Sequence, residues 1–173
     1  LILDACRYDI FADIHSLEGD LERRYSKGAQ SPVFLRENFG DGEFYDTVCV
    51  SANPYQEKVL NDDQFHAVYH LWKSDWDDEF KTVHPETMNR VAREAAERHP
   101  NKRLILHYMQ PHIPFIGPWA RENIGISTGN EHERERTLTG TFDGKPDNPY
   151  RMLRRGDLDK EELIRGYTEN LEV

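Results

Sequence analysis

Apolar and polar positions along this chain follow two rhythms. Residues 1–3 form a short apolar run that stops at an acid, Asp4, as a buried parallel strand does at its carboxyl edge. Residues 46–51 (DTVCVS) alternate β-branched and small side chains and predict a second strand, with the turn Asn53-Pro54 directly behind it. Residues 103–109 (RLILHYM) predict a third strand, followed by the loop QPHIPFIGP. The other rhythm is helical. Residues 8–17 put Ile10, Phe11 and Ile14 on one face. Ser31-Pro32 opens a helix carrying Val33, Phe34 and Leu35 and ending near residues 38–40, since Ser is a preferred N-cap and Pro a preferred first helical residue. Residues 85–99 give the clearest helix, with Met88, Val91, Ala92, Ala95 and Ala96 along one side and Pro100-Asn101 as its stop. A last helix, capped by Asp157 or Asp159, lines up Leu163, Ile164, Tyr167 and Leu171.

Two stretches break the rhythm. Residues 65–76 are rich in aromatic and β-forming residues and predict a strand or an irregular excursion, with His66, His70, Trp72 and Trp76 as a packed aromatic patch. Residues 121–156 carry many Gly, Thr, Asn, Pro and charged residues with little periodicity, and read as an irregular insertion at about 117–156 of a single domain spanning 1–173. Strands alternating with helices predict an α/β three-layer sandwich around a mostly parallel sheet. The apolar first residues and the open amphipathic helix at the end lead us to expect a fragment, incomplete at both ends.

Composition narrows the function classes. Hydrophobic residues make up 37% and charged residues 31%, and no apolar run is long enough to span a membrane. The net charge of −10 argues against nucleic acid as a partner, because that surface needs a basic stripe. The acid excess and the 15 Arg against 7 Lys suit a salt-rich cytoplasm, where self-repulsion is screened. Cys6 and Cys49 both fall in predicted buried strands and read as reduced core thiols.

In parallel sheets ligands sit beyond the carboxyl ends of the strands. Asp4 closes the first predicted strand, Ser51 and Asn53 the second, and His107, Gln110 and His112 the third. A carboxylate behind a buried strand needs a cation or several donors to stay ionised, so Asp4 is either a ligand for a hard divalent ion or the partner of Arg7 or a turn. Arg7 could grip an oxyanion and Asp9 could join Asp4 on a metal, or each could serve in a structural ion pair or a helix cap. Ser31 is either a nucleophile activated by a helix N-terminus or an ordinary cap. His112, between prolines, could protonate a leaving oxygen, whereas His107 lies within a strand and also reads as a core histidine.

LILDACRYD, VCVSANPY and LILHYMQPHIPFIGP, in that order, resemble the sulfatase-like branch of the alkaline phosphatase superfamily, and most of all its archaeal sulfatase-like proteins. The resemblance implies an alkaline phosphatase-like fold. It also implies a metal-dependent hydrolase or transferase of sulfate or phosphate esters, acting on a small-molecule or glycan substrate. On it, Asp4 falls as a ligand of a divalent metal ion (Ca, Mn, Mg or Zn), Ser31 as nucleophile, and His112 as the residue assisting the leaving oxygen. From their places at the same strand ends and loop, Asp9 is expected as a further metal ligand and Arg7, Asn53 and His107 on the substrate. Three features depart from that pattern. Ala5 stands where sulfatases carry a second acid. No Cys-x-Pro-Ser-Arg or Ser-x-Pro-Ser-Arg run exists, which disfavours a formylglycine enzyme. No Asp-His-Gly motif occurs in these 173 residues, so half of the metal site is expected to lie beyond them and this piece to be inactive alone. The alternative is a non-catalytic relative that binds an anionic glycan or a protein.

Overall fold

A computed structural model describes residues 1–141 and 148–173. In chain order its elements are β1 (Ile2–Asp4), α1 (Tyr8–Ile14), α2 (Ser31–Phe39), β2 (Phe44–Ser51), α3 (Tyr55–Val59), a 3-10 turn (Asp62–Gln64), β3 (Phe65–His70), α4 (Leu71–Ser74), α5 (Pro85–Arg98), β4 (Arg103–Pro111), α6 (Pro118–Asn123), α7 (Gly129–Thr139), α8 (Pro149–Arg155) and α9 (Lys160–Glu172). The four strands form one all-parallel sheet in the order β1-β4-β2-β3.

Side-chain alternation along β2 explains how helices come to flank the sheet. Val48 and Val50 point to one face and pack with Met88, Val91 and Ala95 of α5 and with Trp72. Cys49, between them, points to the other face and packs with Leu35 of α2 and with Leu60 and Phe65. A strand buried on both faces reads as a continuous apolar run, which is how VCV appears in the sequence. A third cluster gathers Ile113, Phe115, Ala120 and Tyr167 around the segment behind β4, with Leu163 and Leu171 of α9 against it.

The helix ends obey the local code. His84 caps α5 through its ring nitrogen, which accepts from the Glu86 N–H at 3.3 Å, and Pro85 opens the helix. Asp159 and Glu162 form a reciprocal capping box at the start of α9, with bonds of 2.8 and 2.9 Å.

Two expectations need correction. The stretch 117–156 is not irregular where it is described: it holds α6, α7 and α8, while residues 142–147 of that stretch lie outside the described residues. The strand expected within residues 65–76 is present as β3, and the short α4 follows it, with Trp72 fully buried in the core. Cys49 is buried as expected, but Cys6 is exposed, because β1 stops at Asp4 and Ala5 turns the chain away. Among the described residues no helix is long and apolar enough to cross a membrane.

Candidate functional site

Parallel pairing brings the carboxyl ends of all four strands to one edge, and Asp4 lies there. Its register partner on β4 is Pro111, and Ser51 of β2 pairs with His107 of β4 one strand further in. Directly after Asp4 the backbone enters the left-handed region at Ala5 (φ 58°). That conformation costs a residue with a Cβ about 1–2 kcal/mol, so other contacts must hold it.

The Asp4 carboxylate is surrounded by donors. Ser31 Oγ donates to it at 3.0 and 3.3 Å, and Asn53 Nδ2 donates to Oδ2. His107 Nε2 lies 3.7 Å from Oδ2, on a ring only 2% exposed. The Asn53 amide is oriented by its own backbone, since its Oδ1 accepts from the Tyr55 N–H at 2.8 Å and leaves the NH2 for Asp4. Burial pushes the Asp4 pKa up, but His107, the His112 charge and the Ser31 hydrogen bond outweigh it, and the carboxyl sits below its ordinary value. Asp4 is therefore an anion held by protein donors.

Ser31 is the first residue of α2, not its cap. Gln30 occupies the cap position, and the Ser31 hydroxyl turns to Asp4. The first intrahelical bond runs from the Phe34 N–H to the Gln30 carbonyl at 2.9 Å. The N–H groups of Ser31 and Val33 thus precede the helical ladder, and Pro32 contributes none. The chain leading to Ser31 lies tight against this turn. A Cβ at Gly28 would fall 2.3 Å from the Phe34 backbone nitrogen, which only glycine avoids.

The two histidines differ. His112 Nδ1 lies 2.8 Å from the Ile113 carbonyl, which can only accept, so Nδ1 carries the proton and Nε2 is the exchangeable position. The His112 N–H is shared between the carbonyls of Asp4 (3.1 Å) and Met109 (2.8 Å), tying the two strand ends together. His107 Nδ1 is buried with no hydrogen-bond partner among the described residues. A cavity of about 670 Å³ opens over Asp4, Ser31, His107 and His112, with Phe34 and Tyr55 among its walls.

Other expected site residues fall elsewhere. Arg7 and Asp9 pair with each other at 2.5 Å on the surface and neither lines the cavity. The Arg7 bond holds the Asp9 pKa down, to about 2. Asn53 meets Asp4 rather than the cavity wall. Cys6 lines the cavity although its sequence suggested a core thiol.

Two residues of α9 were missed. The Tyr167 hydroxyl donates to the Ala5 carbonyl at 2.9 Å and accepts from the Arg7 N–H at 2.7 Å. Asn170, fully buried, donates to the carbonyls of His112 (3.0 Å) and Pro114 (3.2 Å) and accepts from the Ile116 N–H at 2.9 Å. A buried Asn on an otherwise apolar helix face was the available signal, because such an amide must find partners.

A divalent ion would find one anionic ligand here. Both oxygens of Asp4 already accept from the chain, through the Ser31 hydroxyl and the Asn53 amide. Among the described residues no group of three or more His, Cys, Asp and Glu side chains is arranged to hold a metal ion. Asp4 is thus the one carboxylate among the described residues that lines this cavity. No family model matches the chain, and no curated protein or solved structure matches it.

Proposed function

We propose that this edge of the sheet hydrolyses or transfers phosphate or sulfate esters with Ser31 as nucleophile, on an alkaline phosphatase-like three-layer scaffold of the kind the sequence resembles. One observation carries the reading: the Ser31 hydroxyl, at a helix start where capping is its ordinary task, is instead bonded to a partly buried carboxylate. Ser31 Oγ attacks phosphorus or sulfur in line and forms the new O–P or O–S bond while the bond to the ester oxygen breaks. The hydroxyl proton passes along the existing hydrogen bond toward Asp4. The departing oxygen takes a proton from His112 Nε2 when that ring is protonated. The N–H groups of Ser31 and Val33, at the positive end of the α2 dipole, face charge that builds on the non-bridging oxygens. Water, or a second alcohol, then attacks the group on Ser31 and gives its proton to His112 Nε2, while the bond to Ser31 Oγ breaks and that oxygen takes its proton back from Asp4.

The described residues offer a divalent ion of the kind the resemblance implies a single carboxylate, Asp4, and no step is routed through that ion. That same shortage favours a second reading, a binding module for an anionic glycan: a carboxyl kept below its ordinary pKa is a weak base. Release of aryl alcohol from an aryl phosphate and an aryl sulfate separates the two. Turnover that vanishes in Ser31→Ala, with a phospho- or sulfo-adduct on Ser31 seen by mass spectrometry in the wild type, supports the enzyme. Retention of inorganic sulfate without turnover supports the binder.

A further inference from the structure

One helix, remote in sequence, touches both halves of the site. Tyr167 and Asn170 are three residues apart on α9 and so share one face. Tyr167 closes over the turn that follows Asp4, and Asn170 closes over the loop that carries His112. We propose that Tyr167 and Asn170 are positioning residues that set the nucleophile's carboxylate partner and the leaving-group histidine at a fixed separation. The inference rests on the proposed ester chemistry of this site.

The geometry supports it at three points. Ala5 holds a left-handed turn without being glycine, and the Tyr167 hydroxyl uses both its donor and its acceptor there, on the Ala5 carbonyl and the Arg7 N–H. Burial raises the Tyr167 phenol to about 12, so it stays a neutral hydroxyl able to do both. Asn170 uses three of its hydrogen-bonding positions on backbone groups of residues 112–116, within a loop that has no regular pairing of its own. The two grips are mechanically joined, because the His112 N–H also donates to the Asp4 carbonyl. A shift in the Ala5 turn therefore moves the anchor of His112. Neither residue lines the cavity, so each acts through the groups it holds.

The test compares Tyr167→Phe with Leu163→Ala, a packing change on the same helix that leaves both grips in place. The Phe variant keeps the ring and its edge contact with Phe115. Expected is a fall in kcat of about tenfold or more with KM within about twofold, as misplacement of reacting groups predicts. Leu163→Ala is expected to lower the melting temperature but leave kcat within about twofold below that temperature. An unchanged kcat in Tyr167→Phe, or an equal loss in Leu163→Ala, overturns the proposal. Asn170→Ala is a second variant with the same expectation, and if it does not fold, Tyr167→Phe decides alone. If the wild-type protein turns over neither ester, the proposed reaction has failed and hydrogen exchange of the His112 amide decides instead. Faster exchange in Tyr167→Phe than in Leu163→Ala supports positioning, and equal exchange overturns it.

Discussion

Asp4 shows how a residue that looks like a metal ligand acquires other partners. It closes the three-residue strand β1, where burial pushes its pKa up, and His107, the His112 charge and the Ser31 hydroxyl bring it below its ordinary value. Its folded pKa lies below its unfolded value, so between those values the unfolded chain holds more protons and stability climbs with pH. The carboxylate's contribution is complete above the ordinary carboxylate range and is lost as pH falls through the depressed value. Urea midpoints from about pH 3 to about pH 7 should therefore drop on acidification more steeply in the wild type than in Asp4→Asn. Parallel curves would show that Asp4 is not the group responsible. Ser31→Ala should remove turnover and cost about 1.5–3 kcal/mol, the worth of a hydrogen bond to a charged partner. A loss in urea titration far below that range would mean that the Ser31–Asp4 bond is weak in solution.

At the scale of elements, the parallel strands and the strongly patterned helices were legible in the sequence. VCV and LILHYM give β2 and β4, and the Met88–Val91–Ala95 side gives α5. What escaped was held by polar contacts. α7 (GNEHERERTLT) has only Asn130 buried, and it is fastened by Lys81–Glu131 at 2.6 Å, Lys58–Glu133 at 3.5 Å and the Arg134 bond to the Trp72 carbonyl at 2.9 Å. Such a helix leaves no apolar stripe to read. Cys6 was misread because the extended strand was carried past Asp4, and a left-handed Ala announces itself less than a glycine would. Tyr167 fits the apolar pattern of α9, which hides that its hydroxyl is the part the site uses. In the same helix Gly166 permits a close approach: a Cβ there would lie 2.8 Å from Ile124 Cδ1 and 2.9 Å from Phe115 Cδ2. Gly166→Ala should cost about 1–3 kcal/mol by overpacking, read as a lower urea midpoint at constant m-value. An unchanged midpoint would mean that α9 docks less tightly than these contacts require.

The whole molecule carries 32 acids against 22 Lys and Arg, a net charge of −10. Its ion pairs are mostly at the surface, as in Arg103–Asp46 and Arg121–Glu79, where each is worth little. Self-repulsion of the compact state is then the larger electrostatic effect, and screening relieves it. The melting temperature should rise as KCl goes from about 0.05 M to about 1 M. A fall would show that the ion pairs outweigh the repulsion.

The bond from Tyr167 to Ala5 spans 162 residues of sequence. Contacts of such separation must overcome the entropy of closing nearly the entire chain, and they give little until most of the structure between them exists. The β4-β2-β3 part of the sheet closes shorter loops and needs no such wait. Folding and competence should then be separable in time: the sheet reports its signal first, and the turn beside Asp4 locks only when α9 arrives. A refolding protein would pass through an interval in which it has its core but not its site.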